Sequence, residues 1–215
     1  MQRSDSFVLA GILSFSGGLQ DAYTFNIRDH VFANAQTGNV VIMSQNFMMG
    51  RWEAGIDHLF AVFSFIAGVF LADCIEGRLK YNRIIHWRQV VLMIEVILLF
   101  IVGFLPRELN VLANIMVSFS CAMQVQSFRA LRGKGYASTM CIGNLKSGTS
   151  FLAKYFRKKK KADLLNAVQY YAVIVIFAVG AGFGGVLSRH MGIVTIWVSC
   201  ILLFAAALFL NKEHI

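Results

Sequence analysis

The sequence predicts an all-α polytopic membrane protein built from two inverted repeats, with about six transmembrane helices and two re-entrant or broken polar helices. Three observations carry this reading. Of 215 residues, 57% are hydrophobic and only 14% charged, with a mean hydropathy of +0.63, whereas a soluble domain carries about 25% charged residues. The apolar residues gather into eight runs, each close to the roughly 20 residues that a spanning helix needs. Polar motifs of the first half also recur, in order, in the second. These figures exclude a disordered chain, a coiled coil and a secreted disulfide scaffold.

The runs are Phe7–Asn26, Val31–Gly50, Ile56–Ile75, Gln89–Leu105, Leu109–Phe128, Tyr136–Phe156, Leu164–Leu187 and Gly192–Leu210. They are too long for barrel strands and do not alternate, so each is read as a helix. The first is read as an uncleaved span rather than a signal peptide. The single proline, Pro106, stops the fourth run. The second run carries Asn34, Gln36, Thr37, Asn39, Ser44, Gln45 and Asn46, and the sixth carries Ser138, Thr139, Asn144, Lys146, Ser147, Thr149 and Ser150. Lipid cannot solvate these groups, so both runs should face protein or a water-filled cavity.

The same two runs anchor the internal repeat. Ser14-Phe15-Ser16 recurs as Ser118-Phe119-Ser120, Gln20 as Gln124, and Gly38-Asn39 as Gly143-Asn144. Phe65-Ile-Ala-Gly68 recurs as Phe177-Ala-Val-Gly180, and Ile97-Leu-Leu-Phe100 as Ile201-Leu-Leu-Phe204. Residues 1–106 and 107–215 are therefore read as two membrane repeats within one integral membrane domain.

Loop charges give the orientation. If all eight runs cross, Lys and Arg divide ten against nine, with no bias. If runs two and six enter and return, one side keeps Arg28, Arg51, Arg107 and Arg189 and the other has the remaining fifteen, the asymmetry expected of a cytoplasmic face. Letting only run six return gives the same bias with the first residue outside. Duplicated halves should treat matching runs alike, which selects six crossings with both termini cytoplasmic. The net charge of +9 then marks loops on anionic lipid, chiefly the Lys154–Lys161 region, and not nucleic-acid binding.

Gly17-Gly-Leu-Gln-Asp21-Ala22, followed by Phe32-Ala-Asn-Ala-Gln-Thr37-Gly38-Asn39, resembles the first-half signature of the YoaK family. Met123-Gln-Val-Gln-Ser-Phe128 and Tyr136-Ala-Ser-Thr-Met-Cys-Ile-Gly143-Asn144-Leu are similar to its second signature. One departure is Ile142, where the second half often has another small polar residue. The resemblance covers nearly the whole chain and implies a bacterial multi-pass inner-membrane protein; the family has no assigned reaction.

Candidate site residues follow from chemistry. Asp21 and Glu95 are carboxylates within apolar runs, where an ionised group costs about 2.5–3.5 kcal/mol or more; each could bind a coupling proton or cation, or simply bond a neighbouring helix. Thr37-Gly38-Asn39 and Gly143-Asn144 could break their helices at the midplane and offer donors and acceptors to a solute, or serve close packing. Lys146 could pair with either carboxylate or snorkel to the surface. Gln20, Gln124 and Gln126 read first as inter-helix hydrogen bonds. Gly180-x-Gly182-x-x-Gly185 imitates a dinucleotide loop but lacks the acid about 20 residues on, so it reads as a packing face. Cys74, Cys121, Cys141 and Cys200 lack metal or disulfide spacing and read as buried thiols. The five histidines lie near loops or ends, and no metal, cofactor or catalytic set is discernible.

The leading expectation is a small-solute transporter or channel with a polar midplane site, self-associating or alone. The alternative is a non-transporting assembly or lipid-interaction factor; an enzyme is not expected. Reporter fusions at Met1 and Ile215 should both report the cytoplasm, and a periplasmic signal at Met1 would require seven crossings instead.

Overall fold

The computed structural model describes residues 5–80, 86–131 and 133–210; Arg3, Arg83, Arg132 and Lys212, all used in the orientation count, and both termini lie outside the described residues. The helices are α1 Phe7–Ile27, α2 Gln36–Met48, α3 Trp52–Leu79, α4 Trp87–Val102, α5 Asn110–Ser127, α6 Cys141–Lys158, α7 Lys161–Met191 and α8 Ile196–Leu210. Among the described residues the only strands, β1 Ala130–Leu131 and β2 Lys134–Gly135, form one small hairpin. Pro106, which has no amide hydrogen, separates α4 from a short turn at Arg107–Leu109 that leads into α5. Gly192, at φ 60°, ends α7 in a conformation costly to other residues.

Three stretches combine the length and hydropathy of a span: Trp52–Leu79, Arg107–Ser127 and Lys161–Leu210, the last comprising α7 and α8. The 21 residues of α1 include buried Ser14, Ser16, Gln20, Asp21 and Thr24, which lower its hydropathy. The second and sixth runs are not helical from their starts. Residues 31–35 and 136–140 are irregular, and the helices begin at Gln36 and Cys141. The 13 residues of α2 rise only about 20 Å, short of the roughly 30 Å of hydrocarbon.

Packing follows a regular scheme. α1 lies along α7 and α3 along α5; α2 packs on α3 and α6 on α7; α4 meets α5, α8 meets α1, and α4 and α8 pack together. Gly180 sits on Phe15 and Gly184 on Leu19, so α1 and α7 run parallel. Gly68 sits on Phe119, and Gln126 Nε2 donates to Asp73 Oδ1 at 3.0 Å, so α3 and α5 are also parallel. One end of the bundle gathers Arg28, the end of α4 and the start of α5. The opposite end joins the start of α4 to the end of α5 through Arg88 Nε and Ser127 O (2.9 Å), and to α8 through Gln89 Nε2 and Ala207 O (3.0 Å).

The glycines set the closest approaches. A Cβ at Gly18 would collide with the Phe177 carbonyl, at Gly68 with that of Phe119, and at Gly180 with that of Phe15. This corrects one part of the packing-face reading of the 180–185 stretch: Gly180 and Gly184 make close contacts, while a Cβ at Gly182 would meet nothing. Of the cysteines, Cys121 and Cys200 are buried, Cys141 is partly buried and Cys74 is exposed. Alanine at Gly18, Gly68 or Gly180 is expected to cost about 1–3 kcal/mol through overpacking, seen as a lower melting temperature in detergent. Gly182→Ala should melt like the parent.

Candidate functional site

Two stretches of backbone turn back among the helices and must satisfy their polar groups away from lipid. The first leaves α1 through Asp29 and His30, both left-handed at φ 59°. It is held by Asn39, whose Nδ2 donates to Phe32 O at 2.7 Å and whose Oδ1 accepts the Phe32 amide at 3.1 Å. The second is held in the same way: Asn144 Nδ2 donates to Ala137 O at 2.7 Å and Oδ1 accepts the Ala137 amide at 3.5 Å. Each asparagine thus clamps the residue seven positions before it. His58 Nδ1 lies 3.2 Å from Asn39 Oδ1, a donor if that nitrogen carries the proton. His58 is buried in α3, not in a loop, and the sequence reading missed it.

Further bonds fix the residues ahead of each short helix. Asn34 N–H donates to Asp21 Oδ1 at 2.8 Å, and Gln36 Nε2 donates to Ala33 O at 2.9 Å. Gln124 Nε2 donates to Ser138 Oγ at 2.9 Å, and the Tyr136 hydroxyl reaches Ala10 O at 2.9 Å. Thr139 packs its methyl against Gly17, where a Cβ would collide with it. Its hydroxyl oxygen is buried without a partner. Neither α2 nor α6 has a side-chain N-cap.

Between the two helix starts lies a cavity of about 650 Å³. Its walls include Asp21 and Phe25 of α1, residues 34–37, residues 139–142, Phe65 of α3 and Phe177 of α7. Phe65 and Phe177 come from the middles of their helices, so α2 and α6 both begin halfway along the bundle. Of the sequence-nominated residues, Asp21 and Thr37 line this cavity. Asn39 and Asn144 are engaged with backbone, and Gly38, Gly143 and Gln124 are not in its walls. Lys146 is exposed on α6 and, among the described residues, pairs with neither carboxylate.

Glu95 sits deeper, fully buried on α4. Gln20 Nε2 donates to its Oε1 at 3.4 Å, and Cys121 Sγ donates to Gln20 Oε1 at 2.8 Å. Among the described residues Glu95 Oε2 has no hydrogen-bond partner. Among the described residues no group of three or more His, Cys, Asp or Glu is placed to hold a metal.

Arg28 is the second residue that sequence reasoning misplaced. It was counted as a loop charge, yet it is fully buried. Its Nε donates to the Tyr23 hydroxyl at 2.9 Å, and its two terminal nitrogens donate to Val102 O, Leu105 O, Pro106 O and Asn110 Oδ1 at 2.9–3.2 Å. A cation against the last carbonyls of α4 is also favoured by that helix's dipole.

Removing a clamp strands a buried donor and acceptor, at about 1–3 kcal/mol for each group. Asn39→Ala and Asn144→Ala are both expected to lower the melting temperature in detergent. Asn39→Ala should be the more damaging, because Asn39 also meets His58 and, through Nδ2, Gln36 Oε1 at 3.0 Å.

Comparison with known proteins finds a transmembrane relative for these apolar helices. The chain is 26% identical over 208 residues to UPF0700 transmembrane protein YoaK of Bacillus subtilis (strain 168), covering 91% of this chain and 90% of that protein. No solved structure matches. The family model described as "Protein of unknown function (DUF1275)" matches residues 9–209, and the chain belongs to that family.

Proposed function

We propose that this protein is a small-solute transporter or channel of the plasma membrane, with its solute site in the cavity beside Asp21. One observation carries the reading: a carboxylate lines a cavity of about 650 Å³ that both short helices face with their N-terminal residues. A carboxylate at that depth is costly unless it has work to do, and half-helices ending at the midplane are a recurrent way to build a solute site.

The architecture that goes with it is a pair of inverted repeats, 1–106 and 107–215, with α1, α3, α4, α5, α7 and α8 crossing and α2 and α6 re-entrant. Three equivalences support it. Exchanging each helix for its proposed counterpart turns the α1–α7 contact into α5–α3, α2–α3 into α6–α7, and α4–α5 into α8–α1. Gly180 on the Phe15 carbonyl corresponds to Gly68 on the Phe119 carbonyl, within the repeated Ser-Phe-Ser. The two asparagine clamps span the same seven residues. In this arrangement the starts of α1, α4 and α7 and the ends of α3, α5, α6 and α8 share one side. That side carries the Lys154–Lys161 cluster, which we place on anionic lipid in the cytoplasmic leaflet. Burial of Arg28 removes one cation from the opposite face and strengthens the bias.

The test is uptake from a mixed pool of small metabolites into vesicles reconstituted with the protein, read by mass spectrometry. At least one solute should accumulate above protein-free vesicles, and Asp21→Asn should reduce its rate by tenfold or more at equal protein incorporation. Glu95→Gln should reduce it less, since Glu95 does not line the cavity. Lipid scrambling without solute uptake would favour lipid handling, which the phenylalanine-rich walls also suit.

A further inference from the structure

We infer that the cavity takes a small organic cation with an apolar body, such as an aromatic or branched amine; this deepens the transport reading above and rests on it. The cavity surface is mainly apolar, with Asn26, Asn34, Gln36, Thr37 and Thr139 as further polar liners, and two of its features bear on a ligand. One is the Asp21 carboxylate, held in place by the Asn34 amide at 2.8 Å. The other is aromatic: Phe25 stacks on Phe32 with ring centroids 4.9 Å apart, and Phe65 and Phe177 enter from α3 and α7. No lysine or arginine lines the cavity, and none pairs with Asp21 among the described residues. The carboxylate therefore lacks a protein counter-ion, and a bound cation supplies one.

Competing classes fit less well. A bare metal ion wants about six oxygen ligands at close range; Asp21 is the one carboxylate in these walls, and among the described residues no three His, Cys, Asp or Glu side chains are grouped to hold a metal. A sugar or other polyol would find partners in Asn34, Gln36, Thr37 and Thr139 but would press the rest of its hydroxyls against mainly apolar surface. An anion would be drawn to the uncapped N-termini of α2 and α6, but the Asp21 carboxylate, which already accepts the Asn34 amide ahead of α2, would repel it at close range. An uncharged apolar ligand would leave that carboxylate desolvated and unpaired. An organic cation satisfies both features at once: an ion pair with Asp21, and cation–π and apolar contact with the rings. A volume of about 650 Å³ admits a molecule of this size.

Cys141 provides the readout. It lines the cavity and is partly exposed, while Cys121 and Cys200 are buried. In the full chain carrying Cys74→Ser, purified into lipid nanodiscs, maleimide should alkylate Cys141. Three probes are compared for slowing that reaction: benzyltrimethylammonium, its neutral isostere neopentylbenzene, and phenylacetate. The cation should protect at concentrations at least tenfold lower than either other probe. Asp21→Asn should abolish that advantage and Asp21→Glu should retain it, with unchanged gel-filtration profiles as the folding check. Equal protection by cation and isostere, or best protection by phenylacetate, would overturn the cationic class and leave a solute cavity standing. Protection by the cation that persists unchanged in Asp21→Asn would overturn the ion pair. A Cys141 that never reacts would remove access to the cavity, and the transport reading would fall with the inference.

Discussion

Backbone amides cannot be left bare in hydrocarbon, and the candidate site depends on how two stretches of this chain obey that constraint. The residues before α2 and α6 leave helical geometry between the helices. There each peptide group needs a partner that a helix would have provided for nothing. Asn39 and Asn144 provide it by bonding both the amide and the carbonyl of one residue in the returning strand. Only a side chain carrying donor and acceptor together can do this. With the clamps in place, α2 and α6 can start beside Phe65 and Phe177 and leave a cavity between them. The asparagines therefore act on the cavity at one remove: they hold its walls, and Asp21 faces its interior.

That division of labour explains what could be read from the sequence and what could not. Eight apolar runs, the recurrence of Gly-Asn and the polarity of the second and sixth runs all rest on local spacing, which a sequence displays directly. The helix breaks were attributed to Gly38-Asn39 and Gly143-Asn144 because glycine permits them. The irregular backbone instead lies at 31–35 and 136–140, and the asparagines reach back to it from inside the helices. A side chain bonding seven residues upstream leaves no periodic trace.

Arg28 and His58 escaped for a related reason. A charge one residue beyond an apolar run looks like a loop charge, and a histidine a few residues into a run looks like its solvated edge. What buries Arg28 is a set of acceptors at 102–110, more than seventy positions away. His58 is buried within hydrogen-bond distance of Asn39, on a neighbouring helix. Both environments arise only once α4, α5 and α2 have been brought against the residues concerned. A buried guanidinium with five hydrogen bonds is well compensated without a carboxylate, so no acidic partner in the sequence betrays it.

The two intramembrane carboxylates show how departures from the proposed repeat can carry specificity. At the positions matching Asp21 and Glu95, the second half has Val125 and Ser199. The clamps, the glycine contacts and the aromatic pair Phe65 and Phe177 belong to both halves and shape a cavity with two similar sides. Asp21 belongs to one half only, so its carboxylate makes the cavity electrically lopsided. Glu95 does not line that cavity, and among the described residues its carboxylate accepts one hydrogen bond, from Gln20, the neighbour of Asp21 in α1. Gln20 in turn accepts from Cys121 of the other half. Movement of α1 along α5 would alter both carboxylates together, while movement of α2 or α6 would alter Asp21's surroundings alone. The fold thus sets one acid in the wall of the cavity and keeps the other away from it, joined to α1 through Gln20.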